Sequence, residues 1–338
     1  METDNIILLG HGSGGRMSQK LISSLFFKYF SNDILEKQTD AALITTPEKT
    51  LTFTTDGYVV EPIFFPGGNI GKLAVCGTVN DLAVCGSKPL FITASFIIEE
   101  GLSVSKLEEI VSSMAEEAAV AGVKIVAGDT KVVNRGKCDK IFITTSGIGV
   151  LNEKHQTIAT AEKLKPGDAI LINGTVGDHG MAIMAQREAL HFTANIQSDC
   201  ACLNHLIGQL LDVVDVKFMR DATRGGLASV LNELAQMTKR GITIDEEQIP
   251  VKDNVRGICE ILGFDPIYVA NEGKIVIVVD KEDRDKALTV LKNNRLGKDA
   301  ACIGYVNEEN TPKVIMHTTV GGKRIVDMLA GEQLPRIC

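Results

Sequence analysis

A polar stretch without periodicity, from Asn152 to Thr160, divides the chain into two halves that each contain apolar strands and amphipathic helices. The turn-forming Pro166-Gly167-Asp168 and a new apolar strand follow it. At 338 residues, the chain is also longer than the roughly 100–150 residues of a usual domain. These features predict one domain over residues 1–153, a second over 154–330 and a C-terminal tail over 331–338.

Hydrophobic periodicity in the first half predicts strands alternating with helices. Residues 50–54 alternate Thr-Leu-Thr-Phe-Thr, which predicts a half-buried strand ending at Asp56-Gly57. Ser105 to Glu108 fits a capping box and predicts the start of a helix that ends at Gly122. The same patterns predict a helix over 69–85 and strands over 41–45, 123–127 and 140–149.

The second half contains the same mixture of elements. Ile275 to Val279 is a continuous apolar run, which predicts a strand buried on both faces. Gly331 and Pro335 predict an extended, mobile tail that carries Cys338. We also expect a strand over 169–172, a helix over 226–239 and a short last helix over 322–330.

Charge and cysteine content exclude several classes of protein. The net charge of −8 argues against nucleic-acid and anionic-membrane partners, because both require a basic face. The N-terminus lacks the basic region of a signal peptide, and no apolar run approaches about 20 residues. Cys200-Ala201-Cys202 has no supporting ligand pattern around it, and the eight cysteines include no C-x-x-C pair. The sequence therefore predicts a cytoplasmic protein with reduced thiols and no zinc.

The glycine-rich segment Gly10-His11-Gly12-Ser13-Gly14-Gly15 fits G-x-G-x-x-G between an apolar stretch and a helical pattern. A dinucleotide-binding domain is disfavoured, because no second β-α-β unit with an apolar strand ending in an acidic residue follows. A P-loop is also disfavoured, since no Gly-Lys-Ser/Thr ends the segment. Close contact of its backbone with phosphate and a plain N-terminal turn remain the two interpretations.

Four aspartates lie where predicted elements begin or end, namely Asp40, Asp56, Asp81 and Asp221. Mg²⁺ prefers oxygen ligands, and carboxylates from several elements can hold it against a triphosphate. Each aspartate taken alone also fits a turn or a helix N-cap. Their grouping with glycines and small polar residues favours a magnesium–phosphate site.

Two further residues are candidates for catalysis. Lys131, two residues after Asp129, can neutralise phosphate charge, or it can simply face solvent. Glu272 directly precedes the apolar run at 275–279, where burial would raise the pKa of its carboxyl and suit it to act as a base. A turn-capping role for Glu272 is equally consistent with the sequence.

Several motifs in the same order resemble the HypE family of hydrogenase maturation factors, in the ATP-binding superfamily of aminoimidazole ribonucleotide synthetase and selenophosphate synthetase. The resemblance runs from residue 8 to 338. Ala222 departs from it, since proline is expected there, and the terminal Pro-Arg-Ile-Cys is its most specific part. The matching segments are residues 10–15, 54–57, 64–72, 78–83, 128–131, 220–226, 271–274 and 335–338.

The resemblance implies an α+β fold with two domains, in which N-terminal sheets pair across a homodimer into a barrel-like core. It implies ATP between the domains. Mg²⁺ would be held by Asp56, Asp81 and Asp221, with Asp40 as a fourth ligand. The phosphates would be covered by Gly12, Ser13, Gly14 and Gly15, and further nucleotide contacts would come from Asp56, Asn80, Asp129, Thr223 and Arg224.

The resemblance also implies a reaction on the chain's own end. Cys338 would receive a carbamoyl group from the carbamoyltransferase HypF. ATP would then drive dehydration of that S-carboxamide to a thiocyanate, with Glu272 removing a proton and Lys131 stabilising phosphoryl charge. The cyano group would pass to iron on the HypC–HypD scaffold. The rival hypotheses are phosphorylation of a diffusible substrate and a nucleotide-binding scaffold without chemistry.

Overall fold

The computed structural model describes residues 15–21, 23, 42–45, 50–187, 196–331, 334 and 336–338. The predictions for Gly12, Ser13, Gly14, Asp40 and Pro335 lie outside these residues. In the described part of the chain, no helix combines the length and the apolar character needed to cross a membrane.

The first half forms a five-stranded sheet with helices on one face, and its strands are ordered β1-β2-β7-β5-β6. A two-stranded hairpin, β3 with β4, precedes the central helix α2. The elements are α1 (Arg16–Leu21), β1 (Ala42–Thr45), β2 (Thr50–Tyr58), β3 (Phe64–Phe65), β4 (Gly68–Asn69), α2 (Ile70–Val84), β5 (Ser87–Glu99), α3 (Val104–Ala121), β6 (Lys124–Val133) and β7 (Ile141–Leu151).

Helix α2 lies at the centre of the first half and confirms the helix predicted over 69–85. Asn69 caps it, because its side-chain oxygen accepts hydrogen bonds from the N–H groups of Gly71 and Lys72 at 2.9 and 3.1 Å. The helix is buried on nearly all sides, which its apolar composition predicts. It packs on β2, β5 and β7, so its side chains lie against one face of these strands.

Two local predictions in this half are wrong. The cap of α3 is Ser103, whose hydroxyl accepts from the Lys106 N–H at 3.4 Å, so Ser105 lies inside the helix. Strand β6 runs through the Gly-Asp-Thr-Lys segment at 128–131, because it pairs in parallel with β5 along that length. Strand β2, in contrast, confirms the predicted half-buried strand and ends at Tyr58, one residue beyond the predicted Asp56-Gly57.

The second half is a seven-stranded sheet ordered β14-β13-β10-β12-β8-β11-β9. The strands, in chain order, are β8 (Ala169–Ile172), β9 (Val216–Asp221), β10 (Gly241–Asp245), β11 (Ile275–Val279), β12 (Ala301–Asn307), β13 (Val314–His317) and β14 (Lys323–Val326). The helices are α4 (Asp178–Arg187), α5 (Asn204–Leu211), α6 (Gly226–Thr238), α7 (Asp253–Leu262) and α8 (Arg284–Lys292).

Strand β11 confirms the prediction of a strand buried on both faces. It lies between β8 and β9, and all five of its residues are buried. Ile275, Ile277 and Val279 pack in one apolar cluster, whereas Val276 and Val278 pack in another. Alternate side chains thus fill the cores on opposite faces of the sheet.

The short helix predicted over 322–330 is wrong, since residues 323–326 form strand β14. This strand pairs antiparallel with β13, and Val326 is fully buried beside Val314. Four residues are too few to form a stable helix alone, so the pairing with the sheet decides their structure.

Candidate active site

A cavity of about 180 Å³ lies between the two halves and brings together seven of the site residues predicted from sequence. Strand β2, helix α2, the end of β9, the segment before β11 and the end of the chain all contribute to it. The lining residues are Thr54, Thr55, Asp56, Gly57, Tyr58, Gly77, Asp81, Asp221, Thr223, Arg224, Glu272 and Cys338.

Three aspartates reach the cavity from three different elements. Asp56 lies on β2, and Asp81 lies on α2, where it accepts a hydrogen bond from the Thr54 hydroxyl at 2.8 Å. Asp221 ends β9, opposite Ile275 of β11. Burial raises the pKa of Asp56, and the nearby Arg224 opposes that shift. Carboxylates that line one cavity repel one another, and their oxygens are the ligands that a hard divalent cation prefers.

Glu272 is the most deeply buried acid of the cavity, with 3% of its surface exposed. Burial raises its pKa well above the usual value of 4.5, and the Cys200 thiol and nearby carboxylates raise it further. Its Oε1 atom is buried and has no hydrogen-bond partner among the described residues. A carboxyl group in this setting is suited to exchange a proton with a bound molecule.

The backbone of Glu272 is held from both halves of the chain. Its N–H donates to Asp199 at 3.1 Å, and its carbonyl accepts from the Asn80 side chain at 3.3 Å. Asn80 also donates to the Ala201 carbonyl at 3.0 Å and accepts from the Leu203 N–H at 2.8 Å. The Asn80 amide thus positions the Glu272 backbone through bonds to protein groups, and its contact with the nucleotide stays a prediction.

The last residues of the chain are packed, so the prediction of a free tail is wrong for residues 336–338 in this structure. The N–H groups of Val59 and Glu61 donate to the backbone oxygens of Cys338 and Arg336, both at 3.2 Å. Ile337 is 3% exposed and packs in the core of the first half. Burial of this apolar side chain and satisfied carbonyls outweigh the mobility expected from Gly and Pro.

His179 at the start of α4 holds the tail from the other side. Its Nε2 lies 2.6 Å from the Ile337 carbonyl, and its Nδ1 lies 2.8 Å from the Ser198 hydroxyl. Because a carbonyl only accepts, Nε2 must carry the proton. Burial lowers the pKa of His179, so the ring is neutral and Nδ1 accepts from Ser198. Sequence reasoning missed His179 because no motif links it to residue 337, 158 positions away.

The Cys338 side chain faces the cavity. Burial raises the pKa of its thiol, and the positive charge of Arg224 only partly opposes the shift. The docked thiol is therefore protonated and a weak nucleophile. A cysteine in this state is suited to be presented to other groups in the cavity, rather than to attack a substrate itself.

Lys131 and Asp129 do not line this cavity. Lys131 pairs with Ile97, which pairs with Phe142, whereas Asp56 pairs with Thr145. Because alternate residues of a strand face opposite sides, Lys131 and Asp129 lie on the other face of the sheet from Asp56. There they form an exposed ion pair at 2.8 Å.

Gly15 and Ala222, two further positions noted in the sequence, do not line this cavity. Gly15 lies against the backbone of Leu329, where an added Cβ would be 2.5 Å from the Leu329 oxygen, so the close approach requires glycine. Ala222, where the resemblance predicts proline, donates its N–H to the Lys274 carbonyl at 2.8 Å. Proline has no N–H and would lose this bond.

Comparison with known proteins gives a consistent match over the whole chain. The family model "AIR synthase related protein" matches residues 38–151 with its N-terminal domain and 165–317 with its C-terminal domain. The chain is 49% identical to carbamoyl dehydratase HypE of Rhodobacter capsulatus, over 99% of both chains.

Two solved structures are similar in both sequence and fold. A HypE–HypF complex has a chain 51% identical, with a TM-score of 0.86, covering 91% of this chain and 99% of that one. A HypE in complex with ATP is 47% identical, with a TM-score of 0.82, covering 98% of this chain and 100% of that one.

The raised pKa of Glu272 predicts a specific dependence of stability on pH. The folded protein holds the Glu272 proton more tightly than the unfolded chain does, so this proton stabilises the fold fully below pH 4.5. That stabilisation is lost as the pH rises from 4.5 towards the raised pKa of Glu272 in the folded protein. Glu272→Gln lacks this loss. Its free energy of unfolding, measured in urea with a chelator present, should exceed that of the wild type by more at about pH 8 than at about pH 5.

Glu99→Gln is the control for this measurement. Hydrogen bonds from the N–H groups of Gly136 and Lys140 lower the pKa of Glu99, so its titration falls below this interval. The difference in free energy of unfolding between Glu99→Gln and the wild type should be the same at both pH values. If the difference between Glu272→Gln and the wild type is also the same at both pH values, the raised pKa of Glu272 is contradicted.

Proposed function

This chain belongs to the HypE carbamoyl dehydratases of the AIR-synthase-related family, and on that premise we propose that it dehydrates an S-carboxamide on its own Cys338. It is an ATP-dependent carbamoyl dehydratase that acts in hydrogenase maturation. The product would be a thiocyanate, which supplies the cyanide ligand of [NiFe]-hydrogenase iron. The observation that carries the proposal is the position of Cys338 in one cavity with Glu272 and three aspartates.

The first step activates a poor leaving group. The carboxamide oxygen on Cys338 attacks the γ-phosphorus of ATP, a new O–P bond forms, and the bond to the β-phosphate oxygen breaks to release ADP. The nitrogen, which carries two hydrogens, gives up one proton to a carboxylate of the cavity or to water, and this leaves an imidate with the phosphorylated oxygen on its carbon. Arg224, which lines the cavity beside Cys338, is placed to stabilise negative charge on the transferring group.

The second step forms the nitrile. A carboxylate takes the remaining proton from nitrogen, the C–O bond breaks, and phosphate leaves with the bonding electrons as the C≡N bond forms. Glu272 is our candidate for this base, because its unpartnered Oε1 is buried in the cavity. A general base works best when its pKa lies near the working pH, and burial moves the pKa of Glu272 in that direction.

The donors of the cavity fit Mg²⁺. Asp56, Asp81 and Asp221 present carboxylates from separate elements, and we propose that they hold the ion, with Asp40 as the further predicted ligand. When bound, Mg²⁺ would neutralise charge on the phosphates. Without it, these aspartates and the nucleotide would repel one another.

The partners follow from the same chemistry. We propose that HypF carbamoylates Cys338, as the similar HypE–HypF complex supports, and that the cyano group then passes to iron on HypC–HypD. The tail must leave the cavity for both transfers. A cytoplasmic location belongs to the same proposal, because all eight cysteines are free thiols, as expected in a reducing compartment.

We propose a homodimer formed by the face of the first sheet that lacks helices. This face exposes Phe53 of β2 and Phe91 and Ile97 of β5, each 40–42% accessible, on the two strands that flank β7. Large exposed apolar side chains grouped in this way mark an interaction surface. Lys131 and Asp129 lie on the same face, so we place their predicted role across this interface, towards the neighbouring chain.

Phe91→Asp tests the dimer. A charge buried between the two faces is unfavourable, so sedimentation should show two chains for the wild type and one for the variant. Val320→Asp changes a 92% exposed valine elsewhere and should leave two chains. A monomeric wild type, or a Phe91→Asp variant that stays dimeric, would contradict this interface.

Intact mass spectrometry tests the function itself. After incubation with HypF and its carbamoyl donor, the mass should rise by one carbamoyl group, located on Cys338. ATP with Mg²⁺ should then remove the mass of one water, because the amide becomes a nitrile. Glu272→Gln should accept the carbamoyl group and lose water more slowly, by about 10²–10⁴-fold.

Cysteine variants provide the matched controls. Cys338→Ala should take up no carbamoyl group, whereas Cys138→Ala, which changes another half-buried thiol, should behave as the wild type. An adduct on a cysteine other than Cys338 would contradict the proposed reaction. A carbamoylated mass that does not change when ATP is added would contradict it as well.

A further inference from the structure

A second group of reactive side chains lies beside helix α2 and does not line the Cys338 cavity. Cys76 comes from α2, Glu117 from α3, and Cys202 from the segment before α5. Their sulfur and carboxylate ligand atoms all lie within 4.8 Å of one another. Glu117 and Cys202 are 41 and 126 residues from Cys76, so only the fold brings the three together. We call these residues the thiol cluster.

The spacing of the thiol cluster matches a tetrahedral zinc site. The Cys76 and Cys202 sulfurs are 3.5 Å apart, and the Cys76 sulfur is 3.7 Å from Oε2 of Glu117. With the usual bond lengths, ligands of one tetrahedral zinc are about 3.8 Å apart for two sulfurs and about 3.5 Å for sulfur and oxygen. The side chains therefore already stand near the separations that a bound ion would require.

A fourth ligand would have to come from water or from a movement of Cys200. Cys200 is a further thiol near Cys76, but its sulfur does not lie within 4.8 Å of all three ligand atoms of the thiol cluster. Cys76, Cys200 and Cys202 are at most 6% exposed. Two thiols and one carboxylate supply three ligands of a tetrahedral zinc site, and water or Cys200 would supply the fourth. A neighbouring cavity of about 300 Å³, lined by Glu117, Cys200 and Cys202, provides a path for an ion to enter.

The charge around the thiol cluster is also suitable. Zinc with two thiolates and one carboxylate carries a net charge of about −1, which is costly to bury without a positive neighbour. The Lys72 ammonium lies 3.2 Å from Oε1 of Glu117, while Oε2 faces Cys76. One oxygen of Glu117 is thus left for the ion, and Lys72 offsets the charge beside it.

We propose that Cys76, Cys202 and Glu117 form a site for a thiophilic divalent cation of the zinc class, with the fourth ligand supplied by water or by Cys200. The ion would link α2 and α3 of the first half to the segment before α5 in the second half. That segment includes Asp199, which holds the Glu272 backbone, and the Ala201 carbonyl, which accepts from Asn80. The site would therefore stabilise the junction between the halves without taking part in the reaction.

Metal binding by the full-length wild-type protein is the first test. The purified chain is stripped with a chelator under reducing conditions and titrated with zinc against a chromophoric competitor. We expect about one tightly bound zinc per chain and release of thiol protons. Cobalt(II) in place of zinc should show thiolate-to-metal charge-transfer bands and the visible bands of tetrahedral cobalt.

Cys202→Ser locates the ion. Loss of a residue that only supports a metal ligand weakens metal binding by about 10–100-fold. Cys202 would be a direct ligand, so its loss should weaken zinc binding by at least that factor. It should also reduce the cobalt charge-transfer bands. Cys259→Ser is the matched control, because Cys259 is also buried, 1% exposed against 6% for Cys202, and lies in a different cluster on α7. Its zinc affinity should equal that of the wild type.

Several results would overturn the site. They are no stoichiometric zinc bound by the wild type, cobalt spectra without thiolate bands, or equal zinc affinity in the Cys202→Ser and Cys259→Ser variants. Formation of a Cys76–Cys202 disulfide with diamide as oxidant, in a protein that binds no zinc, would identify a redox pair instead. None of these readouts depends on the dehydratase activity, so they fail independently of the proposed function.

Discussion

The hydrogen bonds that hold the last three residues are the constraint on which the rest of the site depends. Val59 and Glu61 bind the tail from the strand side, and His179 binds it from α4. These bonds place the Cys338 thiol in the cavity, where a free tail would visit it only rarely. Because the tail is tethered, the reacting group meets the cavity as part of the same molecule, which raises its effective concentration.

The second constraint is that both halves of the chain form hydrogen bonds with the backbone of Glu272. Its carbonyl accepts from Asn80 of the first half, and its N–H donates to Asp199 of the second. A buried carboxyl with a raised pKa lowers stability, so the surrounding backbone must hold it in place. The thiol cluster adjoins the same segment, and a metal ion there would reinforce this junction.

Much of the fold was predictable from local patterns, because buried strands and capped helices have strong signals. The apolar run at 275–279 and the helix capped by Asn69 are examples. The short element at 323–326 was not, since its pairing with β13 decides its structure. Asp56, Asp81, Asp221 and Glu272 were recognisable as site residues, but the face on which Lys131 lies depends on strand register, which no motif encodes.

The central claim is that ATP activates the carboxamide oxygen of the chain's own Cys338. Its most direct test is to carbamoylate the protein with an oxygen-18 carboxamide, add ATP and Mg²⁺ in ordinary water, and measure the inorganic phosphate by mass spectrometry. The account predicts one oxygen-18 atom in the phosphate for each thiocyanate formed, because the oxygen leaves bonded to phosphorus. Unlabelled phosphate, with the label recovered in water, would contradict it.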